Sequence, residues 1–530
     1  MTPRCVFAYL IALGIGIALA ALTFPFDFLF PRAGLEWRPL GDTAQHIVAQ
    51  RYLIADGWRW PPSFAANLDT ENGGVNTAFA DAIPVLALFL KAIRGFLPEG
   101  FHGVGLFYGI AWVLQPVAAV WALRAAGERR LLPAVGVALA AASMPAWMWR
   151  FGHAALTGHF VLLLGIGLYL NLLRQPSPRL WIGAACLQAL ALFIHPYLAV
   201  MTLALLFSVP LTLALRRERY LPAGFAAVAC VGALAAVMAA FGYLGAGGGH
   251  GYGNYAMNLI SPVWPAGSAF FGMPLTALVD ATGFGGWEGY NWLGTGLLFG
   301  LGVAVLLQPA AAAGMVWRHA GLATAALVLT VIAVSHKVGL GEMLLLDLGR
   351  WPARQMGQFR SSGRFFWPVA YILLLGVMVL LARRWPMLCL MVGLIQFIDA
   401  QPVRQAVADS AARRAVWSVD APRLRDELSQ ASRLTILPSW FCQGPQRAPE
   451  TGDLILEALT LASERAVPAS TMYVARHTRP PACRDAALAA APLAPGELRL
   501  ILPAAQAALA PLVPDAAARC APVGSLLVCR

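Results

Sequence analysis

The chain has 530 residues, 59% of them hydrophobic and only 12% charged, with a net charge of +12 and a mean hydropathy of +0.66. A soluble domain carries about 25% charged residues, so an ordinary soluble domain is excluded; runs of roughly 20 apolar residues, enough to cross a hydrocarbon core, recur through the first 400 positions. The positive charge does not indicate nucleic-acid binding, because much of the excess is arginine in short loops that set membrane topology, and no basic run is interleaved with aromatics.

The first apolar segment, VFAYLIALGIGIALAALTFPF, follows Met1-Thr-Pro-Arg. ALTFPFDF is a poor small-residue cleavage site, so the segment reads as a retained first span with a cytoplasmic N-terminus. The loops RAAGERR (124–130), RQPSPR (174–179), RRER (216–219), WRH (317–319) and ARR (382–384) are assigned to the cytoplasm. Spans are then expected over 5–25, 103–123, 132–149, 154–173, 180–195, 197–215, 221–243, 291–307, 320–336, 366–381 and 386–400. That makes eleven, an odd number, which sends the C-terminus to the opposite side from the N-terminus. DAIPVLALFLKAIRGFL (81–97) carries Lys91 and Arg94, and counting it as a span would place loop 124–130 outside. It is read as an amphipathic helix at the outer interface. The expected fold is an all-α polytopic membrane domain over 1–400, with a large first periplasmic loop over 26–102, and a small α/β periplasmic domain over 401–530.

Cys5, Cys186, Cys230 and Cys389 fall in or beside spans and read as small buried hydrophobes. Cys442, Cys483, Cys520 and Cys529 lie in the tail, where an oxidising compartment would pair them. Of three connectivities, proximity favours Cys442–Cys483 with Cys520–Cys529.

Polar residues gather in the expected outer loops, where function is most readily built. Asp42 and Asp81 each precede a helical pattern, so each reads either as a catalytic acid or as a helix N-cap. His153 and His159 in FGHAALTGHF flank the start of a span, His159 about 9 Å deeper at 1.5 Å per residue. His195 precedes Pro196 at the turn between two spans. Ionisable groups at membrane depth point to function; the alternative for His195 is a hydrogen bond to a carbonyl freed by Pro196. Tyr252, Asn254, Tyr255, Asn258, Trp287, Glu288, Tyr290, Asn291 and Trp292 form an aromatic and amide-rich set suited to sugar faces and hydroxyls. An interfacial aromatic belt shares that composition. Arg350, Arg354, Arg360 and Arg364 break the topology rule by lying outside. Guanidinium forks suit phosphate oxygens, with anionic lipid contact as the alternative.

Taken as a set, RFGHAALTGH (150–159), HPY (195–197), GNYAMNLISP (253–262), EGYNWLG (288–294) and FRSSGRFFWP (359–368), after an acid in the first outer loop, resemble a family of uncharacterised bacterial membrane proteins related to the GT-C glycosyltransferases. The resemblance covers nearly the whole chain. It implies a bacterial inner-membrane enzyme, inverting, that takes sugar from a polyprenyl-phosphate carrier and passes it to a glycan, lipid or protein acceptor. Asp42 is then the base, with Asp81 as the rival acid, since the chain shows GD where paired acids are common. His153 and His159 would orient the acid or bond the phosphate. Arg360, Arg364 and His195 would hold the donor phosphate, and Tyr252, Asn254, Tyr255, Asn258, Glu288 and Asn291 the substrate. A divalent metal is compatible with the histidines and aspartates, but their spacing specifies none, and the tail shows no catalytic motif. The competing class, a lipid-linked saccharide transporter or an assembly protein, predicts polar residues running to both faces; here they crowd one.

Overall fold

The computed structural model describes all residues except 1–2, 32–37, 40, 248–250, 284, 350–355, 444–448 and 479–480. Arg350, Arg354 and the Cys5 side chain therefore lie outside the described residues. The chain is mostly helical. Each expected span falls on one or more helices, and among the described residues six are long and apolar enough by themselves to cross a membrane: Val6–Thr23, Val104–Ala125, Ala154–Arg174, Pro196–Leu215, Leu221–Ala240 and Ser362–Ala382. Two pairs, Thr295–Leu307 with Pro309–Arg318 and Pro386–Asp399 with Gln401–Ala412, qualify together but bend by 104° and 49°. Pro309 and Pro402 stand at those breaks, where a missing amide donor and ring clash interrupt the helical ladder. Leu131–Ala141, Pro178–Ile194 and Ala320–Val334 are shorter.

The two ends of the bundle differ in chemistry. At one end the arginine loops meet: Arg174 bonds the Ala125 carbonyl at 2.9 Å, and Arg216 bonds that of Arg318. A cavity of about 660 Å³ opens there, with Arg174, Arg216, Arg318 and Arg383 among its lining residues. Toward the other end of the Val104–Ala125 helix, 17 residues from Ala125 or roughly 26 Å, Tyr108 accepts from the Gly152 amide at 2.9 Å. Asp42, Asp81, His153 and His195 gather at this aspartate end.

The Asp42–Ala55 helix holds that end together. Residues 44–54 are all buried, although they include Gln45, His46, Gln50 and Arg51. Polar groups tolerate burial when they find partners. Gln45 reaches the Tyr473 carbonyl at 3.1 Å, and Gln50 bonds the Ala82 carbonyl and the Gly103 amide, both at 2.8 Å. Arg51 bonds the Gly100 carbonyl at 2.6 Å and Ser463 at 3.3 Å. Several of these partners belong to the tail, so tail and bundle share one continuous apolar core. The nearby Pro84–Ala92 helix has nine residues, far short of a span. Its Lys91, expected on a polar face, is instead 1% exposed, with Nζ 3.1 Å from the Gly57 carbonyl and over the Trp58 ring.

The tail is built on a four-stranded sheet in the order Arg433–Leu437, Glu497–Ile501, Leu526–Cys529, Cys520–Val523, the first pair parallel and the others antiparallel. Disulfides join Cys442 to Cys483 and Cys520 to Cys529, the pairing that proximity favours. Cys230 and Cys389 are buried and free, whereas free Cys186 is exposed.

Asp69 lies where the first loop meets the tail, next to the Thr70 amide that bonds the Ala469 carbonyl at 3.0 Å. Burial pushes its carboxyl up to about 6, against the Asn72 hydrogen bond. A raised acid stabilises the fold below its unfolded value of 3.8 and loses that contribution as pH rises through 6. Asp69→Asn, which also tolerates the left-handed φ of 58°, is expected to unfold at a higher temperature than wild type at pH 8 and to flatten the loss between pH 4 and 6. Thermal unfolding across pH checks it; an unchanged pH profile refutes it.

Candidate functional site

Asp42, Asp81, His153 and His195 come from four segments that meet at the aspartate end. Gly41, with φ 51°, is the N-cap of the Asp42–Ala55 helix, and Asp42 is its first residue with no side-chain cap bond. Its carboxylate turns instead to His153, with Oδ2 accepting from Nδ1 at 3.0 Å. Asp81 is not a cap of its following helix either, since Ile83 occupies that position. Asp81 closes the Thr77–Ala80 turn in the left-handed region, φ 52°, a conformation that non-glycine residues hold at a cost and that concentrates at functional sites. This aims its carboxylate at two imidazoles: His153 Nε2 at 3.4 Å and His195 Nε2 at 3.6 Å. Among the described residues, the carbonyl bond that Pro196 offered His195 does not form: its Nδ1 accepts instead from the Tyr197 amide at 3.1 Å, which leaves Nε2 facing Asp81.

His153 thus stands between two acids. Burial alone would lower its pKa, but Asp42 and Asp81 outweigh burial and hold it up at about 9. Burial likewise opposes ionisation of Asp42 and Asp81, yet the His153 contact holds both below the usual carboxylate range. The acids differ in access: the Asp42 side chain is 44% exposed and that of Asp81 13%.

His159 does not join them. The span expected from residue 154 is present as Ala154–Arg174, but after Gly152 at φ 98° it opens with a 3-10 turn over Ala154–Thr157 before the Phe160–Arg174 helix. The two histidines leave that turn in different directions. His159 is 1% exposed, pairs with Tyr371 Oη at 3.0 Å and packs on Trp367 with ring centroids 4.2 Å apart. It belongs to the helix core.

Arg364 and Glu288, expected on donor phosphate and substrate, bind each other. Arg364 donates to Glu288 at 3.0 and 2.6 Å, and Arg150 donates to the same carboxylate at 2.6 Å. All three residues are buried. Burial would raise the Glu288 carboxyl, but the two guanidiniums hold it far below the usual range. Other members of the expected substrate set are likewise committed to the fold: Tyr252 to the Ile332 carbonyl at 3.1 Å, Asn258 to that of Gly341 at 2.7 Å, and Asn291 to that of Gly363 at 3.0 Å. Asn254 and Tyr255 are partly open. Arg360 is exposed, with its guanidinium 5.4 Å from the Tyr255 ring centre, and the half-exposed Trp287 stacks edge-on to the same tyrosine at 5.6 Å.

Two contributors escaped the sequence reading. His46 lies with its ring 4.8 Å from that of His153; the available signal was its place four residues after Asp42, on one helix face. Arg476, from a tail without a catalytic motif, donates to Gln358 at 2.8 and 3.0 Å and feels the charges of Arg360 and Asp81. Nothing in the local sequence marks it.

No curated protein sequence matches this chain. A model described as a domain of unknown function, DUF6311, matches residues 13–401, and the DUF6311 C-terminal domain matches residues 423–530. With both models matched in order over most of its length, the chain belongs to the DUF6311 family.

Proposed function

We propose that this protein is an inverting glycosyltransferase of the bacterial inner membrane. It transfers a sugar from a polyprenyl-phosphate donor to a glycan, lipid or protein acceptor at the periplasmic face. The observation that carries the reading is the half-exposed Asp42 carboxylate held by His153 next to the less exposed Asp81, at the end of the bundle that faces the tail. An eleven-span, GT-C-like topology with a cytoplasmic N-terminus and a periplasmic tail fits the segregation of the arginine loops to the other end.

Asp42 is the more open acid and is ionised at neutral pH, so it can take the acceptor hydroxyl's proton as the anomeric carbon is attacked. His153 fixes its orientation. Charge developing on the leaving phosphate is met by Arg360 and Arg476, in place of Arg364, and Tyr255 with Trp287 offers a stacking surface for a sugar. Incubating the purified protein with a panel of radiolabelled polyprenyl-phosphate sugars and candidate acceptors tests the reading; transfer supports it, and absence of transfer and hydrolysis across the panel counts against it.

Arg360→Ala is expected to weaken donor binding by roughly 10- to 100-fold, the worth of a charge-assisted hydrogen bond, while changing stability by less than about 0.5 kcal/mol, as for an exposed residue. Donor titration and thermal unfolding check both halves. Transport of a lipid-linked saccharide is a second reading, favoured by the cavity at the opposite end, whose mostly apolar lining includes Arg174, Arg216, Arg318 and Arg383. It predicts donor movement across vesicles without a glycosylated product.

A further inference from the structure

We propose that His46, Asp81 and His153 form a binding site for a divalent transition-metal ion of the zinc class. One ligand atom from each residue lies within 4.8 Å of the other two. His46 is 0% exposed, and neither of its ring nitrogens has a hydrogen-bond partner among the described residues. The other buried polar side chains of its helix, Gln45, Gln50 and Arg51, all reach partners. An unsatisfied buried polar group is costly, and coordination through one ring nitrogen supplies what the protein does not.

His153 is disposed as a metal-bound histidine usually is. Its Nδ1 is held by a carboxylate, Asp42 Oδ2 at 3.0 Å, which fixes the tautomer and turns the other nitrogen to the metal. That nitrogen, Nε2, has no hydrogen-bond partner among the described residues and lies 3.4 Å from Asp81 Oδ2. In a tetrahedral site with metal–ligand bonds of about 2.0–2.1 Å, ligand atoms stand about 3.4 Å apart, so this edge is already at length, and His46, within 4.8 Å, closes the site by a side-chain shift of up to about 1.4 Å. Two imidazoles and one carboxylate suit Zn²⁺, Co²⁺ or Mn²⁺ and suit Ca²⁺ or Mg²⁺ poorly, since those ions prefer oxygen ligands. Three protein ligands leave a fourth position for water or a substrate oxygen. Asp42 is then a positioning residue for the metal through His153. The assignment stands independently of glycosyl transfer, because its test reads metal and not product.

The full chain, purified in detergent and stripped with a chelator, is titrated with Co²⁺ and with Zn²⁺. One equivalent per chain is expected, with visible d–d absorption in the Co²⁺ form. His46→Gln and Asp81→Asn should each weaken affinity by more than about 100-fold, because loss of a ligand exceeds the 10- to 100-fold cost of losing an outer-shell partner. Asp42→Asn, at a half-exposed position that threatens folding least, should weaken it by about 10- to 100-fold. His477→Gln, a histidine outside the cluster, should leave it unchanged. Size-exclusion elution establishes that each variant is folded. Binding well below one equivalent in folded wild type overturns the proposal. So does binding that folded His46→Gln, Asp81→Asn and Asp42→Asn all leave unchanged, since the ion is then adventitious.

Discussion

Asp42→Asn is expected to lower the proposed glycosyl transfer by about 10²- to 10⁴-fold, the usual worth of a positioned general base, while the protein folds and binds the proposed donor as before. The expectation rests on where Asp42 sits. Gly41 takes the N-cap position and Asp42 makes no cap bond, so the roughly 1 kcal/mol penalty of a lost cap does not apply. Its carboxylate is 44% exposed, and Asn keeps a polar atom toward His153 while losing the ability to take a proton. Initial rates, donor binding and size-exclusion elution separate the effects. Asp81→Asn provides the contrast: its carboxylate lies between His153 and His195, so it is expected to disturb the cluster's arrangement and stability as well as rate. If Asp42→Asn retains near wild-type transfer and Asp81→Asn abolishes it without loss of fold, the roles of the two acids are reversed.

Glu288→Gln is expected to destabilise the protein by about 3–5 kcal/mol, the cost of removing one member of a buried ion pair and leaving the other charge uncompensated. Here two guanidiniums, Arg150 and Arg364, lose a shared carboxylate to which they donate at 2.6 to 3.0 Å. Arg364→Ala should likewise lower the unfolding temperature before it alters donor affinity, since the Arg364 fork is already filled by Glu288. A simultaneous replacement of Arg150, Glu288 and Arg364 by apolar residues of similar volume is expected to recover much of the loss, because desolvation of the ions offsets much of their attraction. Detergent-phase thermal unfolding reads all three. A wild-type unfolding temperature for Arg364→Ala together with lost donor binding would show that the triad opens to substrate.

The contrast between these residues shows what was legible in the chain. A helical, membrane-suited protein with an oxidised tail follows from apolar runs, arginine loops and four tail cysteines, because partitioning between lipid and water depends on composition over short windows. Disulfide partners 41 and 9 residues apart were within reach of proximity alone. The candidate acids Asp42 and Asp81 and the histidines His153 and His195 were identified, and the resemblance implied that a histidine orients the acid; that one imidazole bridges both acids was not legible, because 111 residues separate His153 from Asp42. The same blindness set Glu288 and Arg364, 76 residues apart, in separate roles when each neutralises the other. It also hid Arg476, which a folded tail brings to Gln358, two residues before Arg360. Residue chemistry was written locally, and the sequence by itself determined which side chains were available at the aspartate end. Which of them remain free for a ligand depends on the partner each finds when distant loops are packed together, and only the tertiary structure decided that.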